Sequence, residues 1–223
     1  MSRLESAGRR LWFGANPVVR KSRFHTQKEQ FALSSLADAA DCLAALATGV
    51  GRKGAGLRPV LPWITFPAIR FLRARVRQDT RVFEWGCGMS TLWYERRCGE
   101  VWAVEDDPAW GRIVAKRATR AKVVMAQDRA YVEKILEFPA GCFDVVSVDG
   151  SRRLECFRLA LEHMRAGGLL VIDNSDSDRT SRGDLFVIDQ MVDKLGTGWA
   201  IHRFPGWAPC NFYPSETTVC VRK

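Results

Sequence analysis

From Thr80 onward the chain alternates short apolar runs with stretches of helical period. Arg81–Trp85, Val101–Val104, Lys122–Met125, Phe143–Val148 and Leu169–Ile172 have largely apolar interiors, which predicts parallel strands covered on both faces. Between them lie helical stretches. The clearest spans Ser151–Arg165, where Leu154, Phe157, Leu161 and Met164 recur at spacings of 3, 4 and 3. Ala166-Gly167-Gly168 is expected to end that helix at a glycine cap. A helix over Leu185–Leu195 and strands over Trp199–Arg203 and Thr217–Val221 complete the pattern. The link between these two strands has no helical period and is too short for a right-handed helical crossover. The last strand is therefore expected to run antiparallel to its neighbour. The pattern predicts an α/β fold: a doubly wound, mostly parallel seven-stranded sheet with an antiparallel last strand.

The region before Thr80 reads differently. Residues 1–28 show no sustained period and read as an arm. Glu29–Val50 is rich in Ala and Leu, and Leu33, Leu36, Ala40, Leu43 and Ala47 form one stripe of a predicted amphipathic helix. Gly49, Gly51, Gly54 and Gly56 should break it, and Gly51–Gly56, with Arg52 and Lys53, reads as a flexible loop. A second helix is expected over about Trp63–Val76, with Arg70, Arg73, Arg75 and Arg77 as its wet face. The expected organisation is a basic arm over 1–28, a helical extension or cap over 29–78, and the α/β domain over 79–223.

Composition narrows the function classes. A chain of 223 residues fits one α/β domain with a small appendage. Its 47% hydrophobic content argues against a disordered or fibrous chain. The longest stretch without a charge, Phe204–Ser215, is far shorter than the roughly 20 apolar residues of a membrane-spanning helix. The first residues lack the apolar core of a secretory leader. The seven cysteines are odd in number and have no C-x-x-C spacing, which suits a reduced, cytoplasmic chain rather than a disulfide or zinc scaffold. Three histidines (His25, His163 and His202) argue against a His-rich metal site. The net charge of +9 is uneven: residues 1–28 hold seven Lys or Arg against one acid. The near-neutral body therefore gives little reason to expect a nucleic-acid-gripping domain. The arm itself, which contains Trp12 and Phe13, suits an anionic membrane surface, a partner, RNA, a solubilising tail or an organelle transit peptide.

The chemistry is concentrated at strand ends. Glu84-x-Gly86-x-Gly88 is a strand end, a glycine turn and a helix start, with Ser90 or Thr91 as a helix cap. A dinucleotide loop would carry a third glycine where Thr91 stands. Glu105 ends the next strand, 19 residues past Gly86, and such an acid can accept both hydroxyls of a ribose. Asp128 follows the third strand in Met125-Ala-Gln127-Asp128. Carboxylates after three successive parallel strands would line one crevice.

This ordered set, with Phe143-Asp-Val-Val-Ser-Val-Asp149, the glycine pair before the fifth strand and the helix-less connection before the last, resembles the motifs of class I, Rossmann-like S-adenosylmethionine-dependent methyltransferases. The resemblance covers about residues 60–223 and is closest to small-molecule O-methyltransferases. It implies that the glycine loop holds the methionine part of the cofactor, Glu105 the ribose and Asp128 the adenine amino group. Glu84, Trp85, Gly86, Gly88, Ser90, Asp106, Gln127 and Asp149 are the further implied cofactor contacts. Asp106 and Asp107 crowd Glu105, so either neighbour could share its role.

The resemblance also implies chemistry after strands four and five. Asp149 and Asp173 are the catalytic candidates. In the divalent-metal O-methyltransferases an Asp after strand four and an Asp-Asn pair after strand five hold Mg²⁺, which here would be Asp149, Asp173 and Asn174, although Arg152 and Arg153 nearby oppose a cation. The two arginines could instead hold an anionic acceptor or face solvent as helix-start residues. His202 is either a general base or a structural histidine. Trp207, Phe212 and Tyr213 either wall the acceptor pocket or cover the core, Ser175–Asp184 reads as a polar lid, and Trp63 as a cover for the cofactor. The leading expectation is methyl transfer to a small molecule at oxygen. The rivals are a nucleic-acid methyltransferase using the arm, a nicotinamide-dependent dehydrogenase, and a cofactor-binding protein without catalysis. The sequence has no N/D-P-P-Y/F/W tetrad of the kind many base N-methylating enzymes use, and the missing third glycine and the terminal antiparallel pair speak against the dehydrogenase.

Overall fold

The apolar runs become the centre of a sheet. In a computed structural model that describes residues 35–176 and 183–223, Phe143–Val148 forms β4, and all six of its residues are buried. It pairs in parallel with β1 (Arg81–Trp85) on one side and β5 (Met164–Ile172) on the other. Outward from β1 lie β2 (Glu100–Glu105) and β3 (Lys122–Met125), both parallel. Beyond β5 lies β7 (Ser215–Arg222), antiparallel both to β5 and to β6 (Trp199–Gly206) at the far edge. The order is β3-β2-β1-β4-β5-β7-β6. The antiparallel last strand follows from its short connection, as the pattern predicts.

Register matters most for the site. Trp85 is level with Val104 on one side and Val148 on the other, and Val148 is level with Ile172. The strands therefore stop together, and the residues after them share one edge of the sheet, where ligands bind in open parallel sheets. The stripe expected over Ser151–Arg165 is the inner face only in part: Phe157 is buried, Leu154 and Leu161 are half-buried, and Met164 lies in β5. α6 (Arg153–His163) buries Cys156, Phe157 and Ala160 against the face that also holds Phe83, Trp85 and Val146. α3 (Met89–Glu95), α4 (Pro108–Arg117), α5 (Asp128–Glu133) and α7 (Asp184–Asp193) complete the layers.

The N-terminal region departs from the expectation. α1 runs Leu36–Ala55, capped by Ser35 and ended by Gly56 in the left-handed region, so the glycines at 49, 51 and 54 do not break it. The expected loop over Gly51–Gly56 is the last turns of a helix. Its inner face is also not the apolar stripe. Asp41, Ala45 and Gly49 are buried, whereas Leu36 and Leu43 are 92% and 68% exposed. Asp41 turns inward because Arg70 of α2 (Phe66–Arg73) grips both carboxylate oxygens, at 2.8 and 2.9 Å. Gly49 turns inward because the Phe212 ring occupies the space of a β-carbon there. The stripe Leu36, Ala40, Leu43 and Ala47 is left facing out.

One helix end also differs. α6 stops at His163, and Gly167, at φ 77°, lies inside β5 rather than capping the helix. The basic arm and the start of the expected first helix, residues 29–34, lie outside the described residues, as do residues 177–182 of the expected lid. Among the described residues, no helix is long and apolar enough to cross a membrane.

Candidate active site

The edge is built around two glycine backbones. Gly86, after β1, has φ 90°, and a β-carbon on it would lie 2.8 Å from the Gly150 backbone after β4. A β-carbon on Gly150 would lie 1.9 Å from the Tyr131 hydroxyl. Neither position has room for a side chain, and Gly86 also needs a backbone conformation that L side chains rarely adopt. The Gly86 N–H donates to the Val104 carbonyl at 2.8 Å, and the Asp149 N–H to the Trp85 carbonyl at 3.1 Å, which closes the loop onto its neighbours.

Beneath this loop lies Glu84, wholly buried. Its Oε2 accepts the Thr91 hydroxyl at 2.5 Å, and Thr91 Oγ1 in turn accepts the Gly88 N–H at 2.9 Å. Thr91, in the place of a third glycine, is thus the link between acid and loop. Glu84 Oε1 is buried without a partner. Burial pushes the Glu84 carboxyl up to about 8, against the pull of its hydroxyl hydrogen bonds. Trp85 does not face the site: its indole lies in the core and donates to the Tyr131 carbonyl at 3.0 Å, because alternation along the strand turns it to the opposite face from Glu84. Only its backbone belongs to the edge.

The three acids after β2 separate into distinct jobs. Glu105 accepts the Cys87 N–H on one oxygen at 2.9 Å and the Asp107 N–H on the other at 3.0 Å, which fixes the carboxylate beside the glycine loop. Its pKa is raised, chiefly by burial. Asp107 caps α4 by accepting from Ala109 and Trp110. Asp106 accepts the Ser151 hydroxyl at 2.5 Å, tying the loop after β2 to the loop after β4. Gln127 donates to the Asp106 carbonyl at 3.2 Å. Asp128, at φ 50°, begins α5 with an exposed carboxylate that lies 3.5 Å from the Arg152 guanidinium. Ser90 sits half-buried in the first turn of α3.

After β4 and β5 the structure brings Asp149 and Asp173 together around Arg153. The guanidinium donates to the Asp149 carboxylate and carbonyl, the Gly150 carbonyl and the Asp173 carbonyl, at 2.6 to 3.1 Å. Asp173 accepts the Thr217 hydroxyl at 2.9 Å and the Asn174 amide at 2.6 Å. Burial, with Asp149 next to it, pushes Asp173 up to about 8. Burial also raises Asp149, against the pull of Arg153. This donor set does not fit Mg²⁺. Arg153 supplies the positive charge between the two strand ends, and the Asn174 side chain turns its N–H, not its oxygen, toward Asp173. Among the described residues, no group of three His, Cys, Asp or Glu side chains is placed to hold a metal ion.

The remaining candidates sort themselves. Arg152 is exposed and paired with Glu155 and Asp128, so Arg153 alone of the two faces inward, and it anchors the strand ends, a role that neither of its expected readings included. His202 lies mid-strand opposite Val219, against the Phe71 and Phe204 rings, away from the edge, and His163 is buried with Nδ1 2.9 Å from the Leu159 carbonyl. Trp207 is buried in the fold, Phe212 packs on Gly49 of α1, and Tyr213 is half-buried in the same loop. Trp63 packs on the small cluster of Cys87, Met89, Leu92, Ala103 and Val114. The described start of the expected lid, Ser175 and Asp176, is buried and bonded to Glu216.

No family model matches the chain, and no curated protein does. Solved structures do. The O-methyltransferase TomG from Streptomyces achromogenes, involved in tomaymycin synthesis and solved with SAM, covers all of both chains at a TM-score of 0.61 and 16% identity. An O-methyltransferase from Bacillus cereus, solved with SAH, matches over 96% of this chain and 99% of its own at 0.60 and 16% identity. An rRNA methylase from Streptococcus thermophilus matches over 74% of this chain and 97% of its own at 0.57 and 12% identity. The chain has the fold of class I methyltransferases.

The buried Glu84 makes stability depend on pH. Its folded pKa of about 8 lies above the ordinary value of 4.5, so the folded state holds a proton that the unfolded chain releases, and stability falls as pH rises from about 4.5 to 8. Glu84→Gln removes that slope. Melting curves across this range should show the wild type losing on the order of a few kcal/mol relative to the variant between the two ends. Parallel pH profiles would contradict the burial cost.

Proposed function

We propose that the protein transfers a methyl group from S-adenosylmethionine to a small-molecule acceptor, at oxygen. The observation that carries this reading is the shared edge: the tight Gly86 turn, the buried Glu84 below it with one oxygen lacking a partner, and Glu105 and Asp128 at the next two strand ends. This arrangement fits the cofactor from its methionine end to its adenine. The glycine loop admits backbone close to the ligand, Glu105 presents a fixed acceptor to the ribose hydroxyls, and Asp128 is free to accept from the adenine amino group. Asp106 and Ser151 close the far wall together.

The cofactor, when bound, supplies a methyl carbon activated by a sulfonium. The chain has to align the acceptor and receive its proton. Asp149 suits that task. Its side chain keeps 29% exposure at the edge while Asp173 is 4% exposed behind it, and the like charge and burial raise the basicity of the pair. Arg153 holds both strand ends and prevents the pair from being neutralised outright. Asp173 is a positioning residue in this reading, fixed by Thr217 and Asn174. In this reading Arg153 takes the place of a divalent metal between Asp149 and Asp173.

Titration calorimetry with S-adenosylmethionine and with NAD(H) tests the cofactor: the first should bind and the second should not, and the reverse result would replace this reading with a dehydrogenase. Glu105→Ala should weaken S-adenosylmethionine by about 10- to 100-fold, roughly 1.4 to 2.7 kcal/mol; unchanged affinity would sink the ribose assignment. Exhaustive chelation with EDTA should leave methyl transfer at full rate, and a loss restored by Mg²⁺ would return a metal to Asp149, Asp173 and Asn174.

A further inference from the structure

Three cations stand over aromatic rings, and no carboxylate in the described residues pairs with any of them. Arg52 of α1 lies over the Trp63 ring at 4.4 Å, Lys53 over Phe212 at 4.5 Å, and Arg58 over Trp110 at 4.8 Å. Trp110 donates to the Cys87 carbonyl at 2.7 Å, and Trp63 and Trp110 both pack on the cluster that holds Cys87, so these rings stand beside the turn after β1. Burial raises the Cys210 thiol of the β6–β7 loop, and the charges of Arg52 and Arg58 draw it back. Two N–H groups, Arg58 Nε and Trp63 Nε1, are buried without a partner. A guanidinium stacked on a ring uses its face and leaves the donors at its edge free for an oxyanion.

We propose that Arg52, Arg58 and Trp63, with Lys53 at the rim, form a subsite for a carboxylate or phosphate on the acceptor. The orphaned donors and the uncompensated charge are then satisfied by the substrate, and the flanking rings hold its apolar part. This rests on the methyl-transfer reading, which fixes which face of the loop the acceptor approaches. The probes are inorganic phosphate and benzoate, with benzyl alcohol as the uncharged control, titrated into the full chain with and without saturating S-adenosylhomocysteine. Arg52→Gln and Arg58→Gln should each weaken the anions at least tenfold, leave benzyl alcohol and S-adenosylhomocysteine unchanged, and melt like the wild type; Arg58→Lys should recover part of the loss. If the variants instead weaken S-adenosylhomocysteine but not 5′-methylthioadenosine, which lacks a carboxylate, the cations serve the cofactor and the proposal fails. It fails also if the variants lose affinity for an RNA oligonucleotide while benzoate and phosphate never bind. Absence of S-adenosylhomocysteine binding with anion binding intact would remove the methyl-transfer reading and leave the anion site standing.

The outward stripe of α1 carries a second inference independently. Leu36, Leu43 and Val50 recur every seven residues at 92%, 68% and 62% exposure, with the small Ala40, Ala47 and Gly54 exposed between them. Placed antiparallel about a two-fold axis, two such helices set Leu36 against Gly54, Ala40 against Val50 and Leu43 against Ala47, so every large residue meets a small one. The geometry points to a second copy of this chain as the occupant, since of the antiparallel registers that set large residues against small ones this one engages the whole stripe. The full chain should sediment as a dimer at tens of micromolar, and Leu43→Glu should make it monomeric without lowering its melting temperature. With Cys42 replaced by Ser, Ala40→Cys with Val50→Cys should cross-link two chains, whereas Leu36→Cys with Val50→Cys should not. A wild-type monomer, or a dimer indifferent to Leu43→Glu, would overturn the proposal.

Discussion

The contact between the Gly86 and Gly150 backbones is the constraint on which the rest of the site depends. Parallel strands in register would otherwise end in side chains that hold their loops apart. With no β-carbon at either position, the turns after β1 and β4 touch, and the edge closes enough for Glu84, Glu105 and Asp149 to surround one space. Tyr131 seals the contact from α5, with its hydroxyl where a β-carbon on Gly150 would sit. Bulk at either glycine would push apart the two strands that carry the chemistry.

That closure concentrates acids where water is scarce, and the fold answers each one differently. Glu84 has Thr91 on one oxygen and nothing on the other. Glu105 has two backbone N–H groups. Asp149 and Asp173 share the neighbourhood of Arg153. Each arrangement leaves the carboxyl raised above its ordinary range, because burial outweighs the bonds it receives. Elevated carboxyl pKa values clustered at one sheet edge are what a site for proton uptake near neutrality needs.

Opposite these acids stands the basic, aromatic wall from α1, the chain after it and the β6–β7 loop. Thr48 of α1 accepts the Cys210 N–H at 2.9 Å, and Thr65 at the start of α2 bonds to Thr217 and to the Phe204 carbonyl. The N-terminal extension is thereby fixed to the same strand, β7, that supplies Thr217 to Asp173. Acidic floor and basic wall are held by one set of hydrogen bonds, so their spacing is a property of the fold and not of loop mobility.

The alternating sheet, its order of motifs and the identity of the edge acids were legible from local pattern, because strand period, glycine turns and acids after strands are all short-range signals. Thr91 was readable only as a cap; its bond to Glu84 needed the turn to be closed. Arg153 read together with Arg152 as either an anion-holding or a solvent-facing residue, since nothing local says that only its side chain reaches back over the ends of β4 and β5. That the Trp85 side chain turns into the core was not legible, because motif membership says nothing about which face a strand residue points to. The α1 stripe was legible as a stripe, but not as an outward one: Asp41 faces in only because Arg70, 29 residues away, waits for it, and Gly49 only because Phe212 fills its space. The sequence by itself determined the elements and the chemistry at their ends. Which side chains meet, and so what charge the site carries, was decided by tertiary contacts between residues far apart in the chain, whose pairing leaves no local trace.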